Sequence, residues 1–438
     1  MKSKILLDYD MVAFETEDEI TLMLELMAPA SDKHLARPGQ SVECVIDRSG
    51  SMQGPKIAAA KGSILKLIER LAPQDFFGLV AFDDSAQVIV PNLQMSSHNQ
   101  NSIKKAIEAI EPGGSTDISA GYLLGLRQVV QSSAPGGSTV LLVSDGEANA
   151  GESNPEFFRN VATKSATERV QSASIGLGLG YDETILEAIA QGGGGSHRFA
   201  SSIDEAIGAL AAEVQDLTDK SIVNAMLRIK PSNLISGHPL VQVLQRLPHW
   251  QEGSDYVVQL GDLYSGENRR FIIKLRVPEI AALGLCKIAD IAIEYLDLAA
   301  QSEISVTMPV NVNVVPGDLA AGRIQEPVVR AERLILEIQD VKEDANSEVM
   351  NGNEKKAAEL LKSAAARLRR EATSIPVADA QSSETMRILN KEATELEALS
   401  ELVIHESPNF SAKRMRESHS RSTRSRQPRT EENNDEKN

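Results

Sequence analysis

Between residues 40 and 217, short apolar runs alternate with segments whose apolar residues recur at helical spacing. The strand candidates are Val42-Glu43-Cys44-Val45-Ile46, Phe77-Gly78-Leu79-Val80-Ala81-Phe82, Val140-Leu141-Leu142-Val143 and Ser174-Ile175-Gly176-Leu177-Gly178. Between them fall a helix opened by Pro55, then Ile103, Ala106, Ile107 and Ile110, and then Leu123, Leu124, Leu126 and Val129. Runs without a polar face belong to strands covered on both sides, and parallel neighbours need helical crossovers. The pattern predicts an α/β fold with a doubly wound, mainly parallel sheet over residues 40–217.

The flanks have other periods. Ile5-Leu6-Leu7 and Ile20–Leu26 precede the α/β unit, and residues 218–318 alternate with period two, as in Arg270-Phe271-Ile272-Ile273-Lys274-Leu275-Arg276-Val277. These read as an antiparallel β-sandwich. Residues 1–39 are too few to fold alone. Their strands are therefore expected to join the sandwich, which leaves the α/β unit as an insertion. Residues 319–406 carry three amphipathic helices punctuated by Asn351-Gly352-Asn353 and Pro376, expected to form a small bundle. Residues 407–438 cluster Lys413, Arg414, Arg416, Arg421, Arg424, Arg426 and Arg429 among serines before an acidic run. So few apolar residues predict a disordered tail.

The net charge of −17 argues against the whole chain binding nucleic acid, which is expected at most of the basic tail. Cys44 and Cys286 sit in apolar runs and read as buried free thiols. No stretch reaches the roughly 20 apolar residues of a membrane span. Asp8 and Asp10 interrupt any signal-peptide core, so a cytoplasmic location is expected.

Three strand-end loops carry the chemistry. Asp47, Ser49 and Ser51 follow the first strand, Thr116 and Asp117 follow Gly113-Gly114-Ser115, and Asp145 ends the apolar strand 140–143. In a doubly wound sheet such loops leave one edge and converge in the crevice where ligands bind. Neutral hydroxyls with few carboxylates suit a hard, oxygen-seeking dication such as Mg2+. Asp117 reads as the N-cap of the next helix, Asp83 and Asp84 as turn residues, and His197 as a structural histidine.

Val45-Ile46-Asp47-Arg48-Ser49-Gly50-Ser51-Met52 resembles the Asp-x-Ser-x-Ser element of the metal-ion-dependent adhesion site (MIDAS) of von Willebrand factor A-type (VWA) domains. Thr116 and Asp145 match that family's threonine and later aspartate. The layout resembles intracellular bacterial members that set an A domain within a β-sandwich and follow it with helices. The resemblance implies that Ser49, Ser51 and Thr116 touch a divalent cation, Mg2+ or in its place Mn2+ or Ca2+. Asp47 and Asp145 would then act through bound water. It further implies capture of a protein ligand through an acidic side chain, without enzymatic activity. Two alternatives stand beside this reading: an adaptor or co-chaperone of a separate AAA+ ATPase, and a metal-dependent hydrolase. The chain has no phosphate-binding Gly-x-x-x-x-Gly-Lys-[Ser/Thr] loop, and no histidine lies in the three site loops.

Overall fold

The computed structural model describes residues 1–30, 38–132, 134–178, 180–202, 204, 205, 207–209, 220–232, 241–245, 247–376 and 380–423. Strands β1 (Lys2–Leu7), β2 (Met11–Ala13) and β3 (Asp18–Met27) open the chain. The α/β unit follows with β4 (Ser41–Asp47), α1 (Pro55–Arg70), β5 (Phe76–Phe82), β6 (Ala86–Gln94), α2 (Gln100–Glu108) and α3 (Ile118–Val130). It continues through β7 (Ser138–Ser144), α4 (Pro155–Thr167), β8 (Val170–Leu177), α5 (Glu183–Gly192) and β9 (Gly194–Ala200). The apolar spacing from Ile203 to Val214 predicts a last helix for this unit, and that stretch falls largely outside the described residues.

Within this unit the strand order is β6-β5-β4-β7-β8-β9, parallel except for the edge strand β6. The sequence places a stop at Pro91, yet β6 runs through it to Gln94. An edge strand tolerates proline because its outward side needs no N–H donor. Every residue of β4, β7 and β8 is buried, as central strands covered on both faces must be. Ile57, Ile64, Leu67 and Ile68 of α1 cover one face together with α2. Tyr122 of α3, Phe158 of α4 and Ile185 of α5 cover the other. Each such large apolar side chain contributes roughly 1.5–3 kcal/mol on burial.

One polar group lies inside this sheet. Glu43, on β4, has no exposed surface, and its Oε2 accepts from Asn92 Nδ2 at 2.8 Å. Its Oε1 finds no hydrogen-bond partner among the described residues. Gly78 makes room for it, since a Cβ there would lie 2.0 Å from Oε2. Burial pushes the Glu43 carboxyl up to about 8, against the pull of the Asn92 hydrogen bond.

The chain continues with β10 (Lys220–Pro231), β11 (Val241–Val243), β12 (His249–Glu252), β13 (Asp255–Tyr264), β14 (Asn268–Val277), β15 (Gly284–Asp297) and β16 (Ser302–Val315). These strands and the N-terminal ones form two sheets, β1-β3-β14-β11 and β12-β13-β10-β15-β16-β2. Leu22 and Leu24 of β3 share one core with Phe271 and Ile273 of β14 and with Leu227, Val258 and Ile291 of the opposing sheet. β3 lies beside β14 along its whole length, so the α/β unit is set between strands of one sheet. Lys220, almost fully buried, joins the two units by pairing with Asp262 at 2.6 Å and donating to Thr139 Oγ1 at 2.9 Å.

After the short α6 (Gly317–Ala321) come three long helices, α7 (Pro327–Met350), α8 (Glu354–Ser374) and α9 (Ala380–His405). α7 lays Val328, Val329 and Leu336 on Met23 and Ile272, the outer face of the first sheet. Its other side joins α8 and α9 in a bundle core.

A fourth helix, α10 (Pro408–Thr423), replaces the first half of the tail expected to be disordered from residue 407. Ser411, Ala412, Lys413, Met415, Ser418 and His419 are buried there. The helix escapes a search for apolar periodicity because its inward positions, three to four residues apart, are mostly small or polar. Their burial is tolerable because partners on both sides satisfy them. Residues 424–438 lie outside the described residues.

Two outcomes test this architecture. The folded state binds the Glu43 proton more tightly than the unfolded chain, so the group stabilises fully below about pH 4.5. That contribution is lost as pH rises through 8. The stability of Glu43→Gln relative to the natural chain should therefore climb between pH 5 and 8.5, by on the order of 2–4 kcal/mol in urea titrations. Met415→Ala should cost about 2–4 kcal/mol, read from the urea midpoint, because Met415 is wholly enclosed by the bundle core. A disordered residue would cost nothing.

Candidate functional site

The three loops meet at the C-terminal ends of β4 and β7. Asp47, the last residue of β4, has no exposed surface. Its Oδ1 accepts from the Ser49 N–H at 2.7 Å and its Oδ2 from Ser144 Oγ at 2.6 Å. The carboxylate thus clamps its own loop to the end of the neighbouring strand. Ser49 Oγ lies 3.0 Å from Ser51 Oγ, and Ser51 Oγ donates to Asp145 Oδ1 at 2.7 Å. Lys56, in the first turn of α1, places its ammonium on Asp145 Oδ2.

Thr116 arrives on the second loop, which is stitched to both others. Gly113 N–H donates to Arg48 O at 2.8 Å and Gly50 N–H to Gly114 O at 3.2 Å. Thr116 N–H donates to Asn149 Oδ1 at 2.8 Å, and the Asn149 and Ala150 N–H groups return to Thr116 O. A Cβ on Gly146 would lie 2.9 Å from Thr116 Oγ1 and 3.4 Å from Ser51 Oγ. The bare α-carbon of Gly146 is therefore what lets the Thr116 hydroxyl come so close. All five residues named from the sequence, Asp47, Ser49, Ser51, Thr116 and Asp145, are brought together.

The neighbouring acids have other work. Asp117 caps α3, accepting from Ala120 N–H at 2.9 Å and Ser119 Oγ at 2.5 Å. Asp83 closes its turn by accepting from the N–H and the Oγ of Ser85, both at 3.0 Å, and pairs with Arg48 at 3.0 Å. His197 is buried, with Nδ1 2.9 Å from Ser174 Oγ and Nε2 3.3 Å from the Tyr181 hydroxyl. Ser144, Lys56, Asn149 and Gly146 were not legible as site residues. Ser144 and Gly146 flank Asp145 directly, a signal of position only, while Lys56 and Asn149 carry none.

Burial pushes the Asp47 carboxyl upward and the charge on Asp145 adds to this, against hydrogen bonds from Ser144 and Ser49. Among the described residues, the ammonium of Lys56 on Asp145 is the one cationic side chain paired with either carboxylate. A further positive charge beside Asp47 and Asp145 would relieve that imbalance. Among the described residues no group of three or more His, Cys, Asp or Glu side chains is placed to hold a metal ion. A cation at this point would rest on hydroxyl and carboxylate oxygen alone, the donor set of a hard dication.

Residues 42–213 match the family model for the von Willebrand factor type A domain. The chain is 27% identical over 320 residues to an uncharacterized protein of Synechocystis sp., covering 71% of this chain and 75% of that one. It is 30% identical over 166 residues to human inter-alpha-trypsin inhibitor heavy chain H4, which is 36% of this chain but only 18% of that protein. The solved structure of von Willebrand factor type A from Catenulispora acidiphila superposes with a TM-score of 0.67 at 15% identity, over 91% of this chain and 96% of that one. That likeness extends the shared fold to nearly the whole chain.

Removing the Ser144 hydroxyl tests the clamp. Ser144→Ala leaves Asp47 Oδ2 buried without its donor and should cost about 1–3 kcal/mol in chemical denaturation, with the fold retained by circular dichroism. Undiminished stability would mean that Asp47 does not hold the two strand ends.

Proposed function

We propose that this chain, a protein built on a von Willebrand factor A domain, binds an acidic side chain of a protein ligand through a divalent cation. Ser49, Ser51 and Thr116 would hold the cation, with Asp47 and Asp145 behind them. The observation that carries this reading is the meeting of three hydroxyls and two buried carboxylates from three loops at one point. Bound there, Mg2+, or Mn2+ or Ca2+ in its place, supplies an electropositive acceptor for an incoming carboxylate oxygen.

The protein's own groups set the geometry. Asp47 fixes the Ser49 backbone, so the Ser49 hydroxyl is oriented before any ligand arrives. Ser51 is exposed and forms the mouth of the cluster, while Ser49 and Thr116 lie beneath it. Lys56 offsets part of the Asp145 charge, which leaves a cation here with residual positive charge for its ligand. We read the site as one of capture rather than turnover. Its loops hold no histidine or cysteine, and their buried acids are engaged in holding the loops.

Titrating Mg2+ against thermal unfolding tests this. The natural chain should gain about 2.7 kcal/mol of stability at a hundred times the dissociation constant, reversed by EDTA. Asp47→Ala should lose that gain, and so should Ser51→Ala, which removes one hydroxyl of the cluster at its exposed edge. Protein ligands captured on beads in Mg2+ should be released by EDTA and missed by both variants. Equal Mg2+ stabilisation in Ser51→Ala and the natural chain would sink the assignment.

A further inference from the structure

We propose that Lys413, on α10, is a positioning residue for the Asp145 loop, so that docking of α10 sets the affinity of the oxygen cluster for its cation. This rests on the cation-binding reading above and adds the means by which the helical bundle reaches that site.

α10 is wedged between two units. On the bundle side Met415 is in the helical core, Lys342 Nζ donates to Ser418 Oγ at 2.7 Å, and His419 Nδ1 lies 3.1 Å from Gln339 O. On the opposite side the helix meets the segment joining β8 to α5. The Lys413 ammonium donates to Tyr181 O at 2.9 Å and to Glu183 Oε2 at 2.6 Å, and stands 3.9 Å from the centre of the Tyr181 ring. Arg416 pairs with Glu187 at 3.3 Å and Arg414 with Glu205 at 2.5 Å. Phe410 meets Phe199 edge to face at 6.1 Å.

The segment gripped by Lys413 is also a wall of the site. Asp182 N–H donates to Gly146 O at 3.3 Å, and a Cβ on Gly180 would lie 3.4 Å from Asp145 O. A Cβ on Gly178 would lie 3.7 Å from the Lys56 ammonium. The contacts therefore run from Lys413 to the Tyr181 carbonyl, across one peptide to the Asp182 N–H, and on to the Gly146 carbonyl beside Asp145. Gly178, in the left-handed region at φ +75°, and Gly180 leave the backbone beyond β8 little intrinsic preference, so contacts from elsewhere fix its position. The Tyr181 ring supplies one constraint, packed so closely on Gly176 that a Cβ there would lie 2.2 Å away. The Gly178 N–H donates to Ala200 O at 2.7 Å, the Asp182 carboxylate caps α5, and Lys413 adds the hold that comes from outside the α/β unit. A buried ammonium is costly unless fully partnered, and Lys413, 3% exposed, has a carboxylate, a carbonyl and a ring face. The grip is specific and electrostatic, so a small shift of α10 relaxes it without unfolding a core.

The test uses the full chain with Lys413→Met and Lys413→Arg. Mg2+ affinity is measured by calorimetry, and amide hydrogen exchange is followed at residues 145–150 and 180–186. Lys413→Met should weaken Mg2+ binding by about fivefold or more, with faster exchange at Asp182. Lys413→Arg should recover part of the affinity. Glu183→Gln removes the same ion pair from the other side and should act likewise if Lys413→Met fails to fold. Mg2+ affinity unchanged in both charge-removing variants overturns the proposal, as does unchanged exchange at Asp182. Absence of Mg2+ binding in the natural chain overturns the cation reading instead, and the exchange data still judge the hold of Lys413 on its segment.

Discussion

The carboxylate of Asp47 is the constraint from which the α/β unit takes its functional shape. It leaves the end of one central strand, holds the backbone of its own loop and takes the hydroxyl of Ser144 from the next strand. A buried carboxylate with two donors is stable only while both stay in place, so it fixes two strand ends as a rigid pair. The hydroxyls of Ser49 and Ser51 and the carboxylate of Asp145 inherit their positions from that pair. The Thr116 loop is then fastened by backbone hydrogen bonds that owe nothing to side-chain identity, apart from Asn149. A polar cluster built this way is ordered by the fold itself.

Much of this was legible in the sequence because burial on two faces leaves an unmistakable trace. The runs Val42–Ile46 and Val140–Val143 have no polar face to offer, and they are central strands. The motif residues of the three loops were legible because they combine oxygen-bearing side chains with strand-end positions. What escaped was of two kinds. Lys56 and Asn149 belong to the site through folding alone, and no spacing announces them. The helix at 408–423 escaped because apolar periodicity was the wrong signal for it. Its inward residues are Ser411, Ala412, Lys413, Met415, Ser418 and His419, and Lys413, Ser418 and His419 are answered by groups far away in the chain. Composition reads such a segment as solvated, because composition does not see partners.

Units that look separate along the chain are therefore bound by polar seams. Lys220 seals the α/β unit to the strand pair through Asp262 and Thr139, and Arg270 ties the first sheet to the bundle through Glu25 and Glu332. Such buried pairs need not add net stability over apolar packing, but breaking one leaves a stranded charge. They fix how the units sit.

The pairing of β3 with β14 has a consequence for how the chain reaches this state. Met27 lies opposite Asn268, so the first sheet must wait for residues synthesised more than two hundred positions later. Direct closure of so long a loop would be slow. The α/β unit in between contains its own sheet and both of its covering cores, and it can collapse as soon as β9 is made. Once folded, it replaces most of a long open loop with a compact body, which shortens the search by which the strands on either side of it find each other. The inserted unit then acts as a scaffold for the assembly of the sheets that flank it.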